Sequence, residues 1–157
     1  MKAWRACTSL AATNNQGTAM KIAHAALAFT LLTAGPALAA DKVLEHHVAQ
    51  MKTGDLEAVL SDYAPNAVVV TPAGAMSPNG VFIGKDTRKL FTILTSKENL
   101  PGNKTMQVTY ESLAPDTTLM RWVQFKGTPK QMSGYDVFVI RGGKIVFQSV
   151  AFDPAKK

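Results

Sequence analysis

The feature that most constrains the fold is a long hairpin sequence between Gly134 and Phe152. β-branched and aromatic residues fill both arms, which is typical of strands. Between the arms, Gly142 and Gly143 supply the positive φ angles that a tight hairpin turn needs. The pattern therefore predicts two long antiparallel strands joined by a short turn.

One carboxylate, Asp136, interrupts the apolar pattern of the first arm. Strict alternation places Asp136 on the same strand face as Phe138 and Ile140, so a charged group shares a row with large apolar side chains. Two interpretations follow. Either this face lines a pocket, or hydrogen bonds tie Asp136 into the core.

The register of the hairpin decides which residue faces Asp136. A two-residue turn at Gly142-Gly143 would place Asp136 opposite Ser149. A three-residue turn with a bulge would place it opposite Gln148 instead. Both alternatives remain open on the residues alone.

Residues 1–39 are predicted to be a presequence rather than part of the fold. A short basic region begins at Met20, residues 25–34 are apolar or small, and the segment ending at Ala39 has an A-x-A cleavage pattern. This order indicates a bacterial secretory signal peptide cut after Ala39. Residues 1–19 fit no part of such a signal, so we expect translation to begin at Met20. A single domain remains over residues 40–157.

Composition excludes several classes of function. The net charge of +6 falls to +3 once the lysines and arginine of the presequence, Lys2, Arg5 and Lys21, are removed, and the remaining basic residues form no nucleic-acid groove. The one cysteine, Cys7, also leaves with the presequence, which excludes disulfides and thiolate chemistry. No later segment is long and apolar enough to be a membrane helix.

Periodicity places the helices first and most strands last. The pattern predicts helices at about 42–53, with Asp41 as N-cap, at 56–63, and after Asp86, which is the candidate cap of the third helix. The third helix is expected to fade into an irregular segment at 97–103. A strand is predicted at 66–71, a short strand at 81–83, and four antiparallel strands from Thr105 onward. The order α-α-β-β-α-β-β-β-β predicts an α+β fold in which a curved, mostly antiparallel sheet wraps around three N-terminal helices.

Four segments in this order carry a family resemblance: Leu44–Leu60, Asn66–Val70, Phe82–Asp86 and Asp136–Ile145. Together they resemble the SnoaL-like branch of the nuclear transport factor 2-like superfamily. The resemblance implies a cone-shaped domain with a pocket at its open end, often dimeric through the outer sheet face. It also favours the register with Gln148 opposite Asp136.

Ketosteroid isomerase is the most informative member of this superfamily, because its oxyanion hole contains a protonated Asp. Asp136 matches that Asp, which precedes a hairpin in the enzyme. The enzyme's hydroxyl donor falls at His47 and its general base at Thr71. A threonine hydroxyl cannot act as a base near neutral pH without a partner to take its proton, so steroid-isomerase chemistry is not expected.

The candidate site combines polar and aromatic residues. Asp136 and His47 are the candidate catalytic pair, and the candidate ligand-binding residues are Tyr63, Thr71, Phe91, Phe138, Gln148 and Phe152. In the alternative interpretation Asp136 accepts a structural hydrogen bond from a core Tyr, Trp or His, and His47 is a satisfied histidine beside a helix stripe. Trp122, Phe125 and Phe147 are expected to be packing or dimer-surface residues.

The function expected from these residues is the binding of a small, partly apolar molecule in the cone of a periplasmic or secreted protein. Two alternatives remain: a proton-transfer enzyme, such as an isomerase, cyclase or dehydratase, that uses His47 and Asp136, and a non-catalytic homodimeric interaction module. Neither a cofactor nor a metal is implied, because the adjacent His46 and His47 point about 100° apart on a helix and cannot easily hold one ion. The expected partners are a small molecule and a second copy of the chain, with no nucleic acid and no membrane after signal cleavage.

Overall fold

A computed structural model describes the backbone of residues 36–154 and the side chains of residues 42–154. The predicted signal peptide and the proposed start at Met20 lie outside the described residues. In chain order the elements are α1 (Pro36–Thr53), α2 (Leu56–Ser61), β1 (Tyr63–Val70), β2 (Val81–Ile83), a 3-10 turn (Gly84–Asp86), α3 (Thr87–Leu94), α4 (Leu100–Thr105), β3 (Gln107–Ala114), β4 (Thr117–Gln124), β5 (Met132–Arg141) and β6 (Lys144–Phe152).

The six strands form one curved, open sheet in the order β2-β1-β6-β5-β4-β3. All neighbouring strands are antiparallel except β1 and β6, which run parallel. The four consecutive strands β3 to β6 therefore form one side of the sheet, while β1 and β2 extend it beyond β6. The predicted α+β class with a curved, mostly antiparallel sheet is confirmed.

Helix α1 packs its apolar stripe into the core, as its spacing predicts, with Leu44, Val48 and Met51 buried. It begins at Pro36, five residues before the predicted N-cap at Asp41. Proline is favoured in the first turn of a helix, and the alanines and leucine that follow it are strong helix formers. Cleavage after Ala39 would therefore fall within the first turns of α1.

The helix count is the main difference from the predicted fold. The segment after α3, expected to be irregular, forms a fourth short helix, α4, with Asn99 at its N-cap and Pro101 in its first turn. A buried amide, Asn103 Nδ2, donates to Leu94 O at 2.8 Å and ties α4 to the end of α3. Among the described helices, α4 is therefore the one that sequence periodicity missed.

Two predicted details at the ends of helices are wrong. Tyr63 belongs to β1 rather than to the second helix, because α2 ends at Ser61 and Asp62 is its C-cap. Asp86 precedes α3 but makes no capping hydrogen bond; its carboxylate pairs with Lys89 Nζ at 2.9 Å instead.

The hairpin register differs from both predicted alternatives. Arg141 pairs with Lys144, so Gly142-Gly143 forms a two-residue turn, but an extra residue in β6 shifts the register between Val139 and Ile140. As a result Asp136 lies opposite Val150. A bulge of one residue moves all later side chains to the other face of the strand.

This bulge determines the composition of the inner sheet face. Ile145 points inward on one side of it, and Gln148, opposite Phe138, points inward on the other. Without the extra residue, Gln148 would lie on the outer face and Asp136 would lack its nearest polar neighbour. None of the described helices is long and apolar enough to cross a membrane.

Candidate functional site

A cavity of about 150 Å³ lies between the inner face of the sheet and the helices. Its walls come from α1, α3, α4, the loop before β2 and strands β4 to β6. The lining is mostly apolar, with a small number of polar groups. The lining residues are His47, Met51, Met76, Phe91, Leu94, Asn99, Asn103, Met106, Met120, Trp122, Gln124, Met132, Asp136, Gln148, Val150 and Phe152.

Asp136 is buried in this wall and accepts a hydrogen bond on each carboxylate oxygen. Trp122 Nε1 donates to Oδ1 at 2.9 Å, and Gln148 Nε2 donates to Oδ2 at 2.8 Å. The amide oxygen of Gln148 in turn accepts from the Tyr63 hydroxyl at 2.5 Å. The result is a buried chain of polar side chains that runs from β1 through β6 and β5 to β4.

Burial raises the pKa of Asp136 from 3.8 to about 6, although the hydrogen bonds from Trp122 and Gln148 act in the opposite direction. Desolvation wins because a carboxylate in an apolar wall loses its hydration, and two neutral donors replace it only in part. Asp136 can therefore exchange a proton close to neutral pH. Burial also raises the pKa of Tyr63 well above 10.0, and the charges of Asp136 and Asp62 act in the same direction.

Close packing at Gly134 positions Trp122. Gly134 lies directly opposite Trp122 in the β4–β5 pairing, and a Cβ atom on it would be 2.6 Å from the indole Cζ2. The ring of Phe152 meets the indole edge to face, with centroids 5.6 Å apart. The indole therefore packs closely against Gly134, and its N–H is held at Asp136.

His47 lines the same cavity from α1 and is 3% exposed. Its ring makes edge contacts with Tyr63, Phe91 and Phe138, with centroid separations of 5.6, 5.8 and 5.9 Å. Desolvation, followed by the charge of His46, lowers the pKa of His47 from 6.5 to about 4. His47 is therefore neutral at neutral pH.

Solved structures with similar architecture identify the fold. An NTF2-like protein of unknown function from Burkholderia xenovorans LB400 is 15% identical, with a TM-score of 0.60 over 78% of this chain and 89% of that one. An NTF2-like protein from Anabaena variabilis ATCC 29413 is 20% identical, with a TM-score of 0.58 over 76% and 90%. This chain has the nuclear transport factor 2-like fold.

A third structure of this fold, TerC co-crystallised with polyporic acid, is 18% identical, with a TM-score of 0.56 over 73% of this chain and 92% of that one. No protein-family model matches the sequence, and no curated protein matches it. The predicted superfamily is confirmed at the level of the fold. At these identities the likeness concerns architecture, and activity must be argued from the site.

The NTF2-like cone brings together five of the eight predicted site residues. Those that line its cavity are His47, Phe91, Asp136, Gln148 and Phe152. The other three lie outside the lining. Tyr63 reaches the site only through its hydrogen bond to Gln148. Phe138 is fully buried beneath the wall.

Thr71, the third residue outside the lining, holds the loop before β2. Its N–H donates to Gly80 O at 2.7 Å and its hydroxyl reaches the same oxygen at 3.4 Å. Thr71 is therefore a structural residue at the position that the isomerase comparison gives to the general base.

The predicted pairing of His47 with Asp136 is also absent. Among the described residues, no hydrogen bond joins them, and the His47 Nδ1 atom is turned toward Asp62, whose Oδ2 is 3.8 Å away. Asp136 combines the two predicted arrangements, because it lines the cavity and is also hydrogen-bonded into the core.

Sequence reasoning missed most of the apolar lining and one polar group. Trp122, expected to be a packing or dimer-surface residue, packs in the core and also binds Asp136 from the cavity wall. Trp122 is two residues from Met120 on β4, so both side chains point inward, and Met120 lies opposite Asp136. This spacing could have indicated the role of Trp122. A second polar group, in which Gln124 Nε2 donates to Asn103 Oδ1 at 3.1 Å, depends on α4 and had no such signal.

The methionines are dispersed in the sequence but lie together in the cavity wall. The chain has seven methionines, and all five that follow Met20 line the cavity. They come from α1, the loop before β2, the residue before β3, and strands β4 and β5. Methionine is flexible and polarisable, so a wall rich in it can adapt to the shape of a bound molecule.

Proposed function

We propose that this NTF2-like domain is an exported protein that binds a small, uncharged, largely apolar molecule in its cone cavity. The observation that carries the proposal is the composition of the wall: five methionines and three aromatic side chains surround a few buried polar groups. Ligand sites are typically apolar clefts with a small number of placed polar groups that fix orientation.

The charges of the cavity lining argue against an anionic ligand. No Lys or Arg lines the cavity among the described residues. His47 is neutral at neutral pH, and the Asp136 carboxyl has a pKa of about 6. An anionic ligand would meet no compensating cation, and burying an unpaired charge is costly.

Size supports a body of about one ring. A cavity of about 150 Å³ is the size known to hold a single benzene molecule in another protein. Met132 and Phe152 are 47% and 40% exposed at the mouth, so a longer molecule could extend past them into solvent. Sulfur–aromatic contacts of roughly 0.3–1.5 kcal/mol each would favour an aromatic ring among the methionines.

Proton transfer by the same cavity is the second candidate function. A carboxyl whose pKa lies near neutral pH is suited to exchange a proton with a bound molecule. Asp136 has such a pKa because it is buried. The binding site is the same in both proposals, so ligand binding is the step to test first.

Intrinsic fluorescence provides that test, because Trp122 lines the cavity and Trp4 is the only other tryptophan. In the full chain carrying Trp4→Phe, we expect phenol and cyclohexanol to change Trp122 emission saturably and benzoate to leave it unchanged. Met132→Glu, at the cavity mouth, should weaken binding about tenfold or more, which corresponds to about 1.4 kcal/mol.

The matched control is Leu113→Glu, which adds the same charge at a position of similar exposure on β3, outside the cavity lining. It should bind as the parent does. The proposal fails if no neutral compound gives a saturable change, or if Leu113→Glu weakens binding as much as Met132→Glu. If the proposal holds, native mass spectrometry of the protein recovered from its own host would identify the natural ligand.

We also propose that a second copy of the chain packs on the outer face of the sheet. Strand pairing places a largely apolar band on that face, from β2 through β1, β6 and β5 to β4, interrupted by Ser149. The band consists of Val68, Val70, Val81, Ile83, Leu119, Val137, Val139 and Phe147. Exposed apolar patches of this kind are typical of protein interfaces.

Self-association is favoured over other partners because the outward charges beside the band, Glu111 and Arg121, have opposite signs and can pair across a two-fold axis. Light scattering after size-exclusion chromatography should therefore give the mass of a dimer. Val137→Lys, in the centre of the band, should reduce it to a monomer, whereas Ala49→Lys, on the exposed face of α1, should leave the dimer intact. A monomeric parent protein would contradict the proposal.

A further inference from the structure

Two buried polar atoms face each other beside the cavity without hydrogen-bond partners. They are His47 Nδ1 and Asp62 Oδ2, and both are unpaired among the described residues. They lie 3.8 Å apart, which is too long for a hydrogen bond. Buried polar groups are nearly always paired, so such a facing pair calls for an explanation.

Asp62 is fixed in place by its neighbours at the junction of α2 and β1. Its backbone carbonyl accepts from Ile145 N at 2.8 Å, and its other carboxylate oxygen, Oδ1, lies 2.8 Å from His46 Nδ1. Lys144 Nζ binds the neighbouring Ser61 carbonyl. The carboxylate is therefore held with Oδ2 directed at the His47 ring.

Burial and nearby charge act on Asp62 in opposite directions. Desolvation is the largest effect and raises the pKa of Asp62, whereas the hydrogen bond and charge of His46 and the charge of Lys144 lower it. In the ionised form, which His46 and Lys144 favour, the carboxylate only accepts hydrogen bonds. If His47 carried its proton on Nε2, two lone pairs would face each other in a buried site with no proton between them. A proton on Nδ1 removes this repulsion and lets the two atoms approach to hydrogen-bond distance.

The geometry points to Asp62 as the positioning residue that holds His47 in the Nδ1–H tautomer, so that Nε2 presents an unprotonated lone pair to the cavity. The position of the proton on a neutral imidazole is set by the hydrogen bond that the other nitrogen makes. The assignment rests on the cavity being the ligand site proposed above. Because Nε2 of His47 is then a hydrogen-bond acceptor, we expect the bound molecule to carry an O–H or N–H donor directed at it.

The assignment also separates the two acidic groups of the site. Asp136 receives donors from Trp122 and Gln148, whereas Asp62 faces His46 and His47 from the opposite side. His47 is therefore oriented by a carboxylate outside the cavity lining, and Asp136 is left to contact the bound molecule directly.

Nitrogen NMR of the full chain with ¹⁵N-labelled histidine tests this assignment without any ligand. At pH 7 we expect His47 to show the Nδ1–H tautomer. Asp62→Asn should reverse the tautomer ratio in favour of Nε2–H, because the amide can donate to Nδ1. His46→Gln, which removes the other partner of Asp62, should leave His47 in the Nδ1–H tautomer and also helps to assign the signals.

A His47 ring with its proton on Nε2 in the parent protein would overturn the assignment, and so would an unchanged tautomer in folded Asp62→Asn. If Asp62→Asn does not fold, the parent spectrum and His46→Gln still decide the question. Because no ligand is added, a failure of ligand binding and a failure of this assignment give separate results.

Discussion

Replacing Asp136 and replacing His47 are expected to give opposite pH dependences of stability. In the folded protein the pKa of Asp136 is about 6, against an ordinary value of 3.8. The folded state therefore binds a proton that the unfolded state lacks between these values. The Asp136 contribution becomes more favourable as the pH falls from 6 to 4, by about 3 kcal/mol at 1.36 kcal/mol per pKa unit.

His47 acts with the opposite sign over nearly the same range. Its pKa is about 4 in the folded protein, against an ordinary value of 6.5. Here the unfolded state binds the extra proton, so stability is lost as the pH falls from 6.5 to 4, again by about 3 kcal/mol. The two contributions nearly cancel in the parent protein.

In each single variant, the free energy of unfolding should change with pH as the remaining group dictates. Asp136→Asn should lose about 3 kcal/mol of stability between pH 6.5 and pH 4 relative to the parent, and His47→Gln should gain about as much. Both changes are large against a typical stability of about 5–15 kcal/mol. Urea denaturation of the full chain at several pH values measures them.

The comparison with the parent protein at each pH removes the contributions of all other titrating groups. The double variant serves as control and should have nearly the same pH profile as the parent, because the two contributions that it loses nearly cancel. Parallel profiles for Asp136→Asn and the parent would show that Asp136 titrates normally in the folded state, and would remove it as a proton-exchanging group.

Gly134→Ala should destabilise the protein by about 3 kcal/mol, at the upper end of what overpacking costs. The new Cβ atom would be 2.1 Å from the Ala151 carbonyl oxygen and 2.6 Å from Trp122 Cζ2. Both atoms would have to move, and displacement of the indole would take its N–H away from Asp136. A buried acceptor that loses its donor costs a further 1–3 kcal/mol, roughly.

The matched control for Gly134→Ala is Gly127→Ala. Gly127 has a φ of +76°, but an added Cβ would meet no atom within 4 Å, so the expected cost is only about 1 kcal/mol from the left-handed backbone. Urea denaturation compares the two, and Trp122 fluorescence reports whether the indole moves. Equal costs for the two variants would show that Trp122 is not wedged against Gly134.

Much of the fold could be predicted because its elements follow simple periods. The α1 stripe predicts that His47 lies against the core, and alternation in β5 predicts that Asp136 points inward; both residues are buried there. The β6 bulge had no comparable signal. An apolar strand with one extra residue has the same composition as one without it, and its register depends on neighbouring strands.

The sequence by itself determined the order of the strands and of every described helix except α4, the tight hairpin turn and the inward direction of Asp136 and His47. Each of these depends on local geometry, namely the period of a helix or strand and the φ freedom of glycine. Tertiary structure alone decided that Gln148 joins Asp136, that Asp62 faces His47 and that five methionines meet in one cavity. These contacts join residues distant in sequence, and in a local pattern each methionine is simply one more apolar residue.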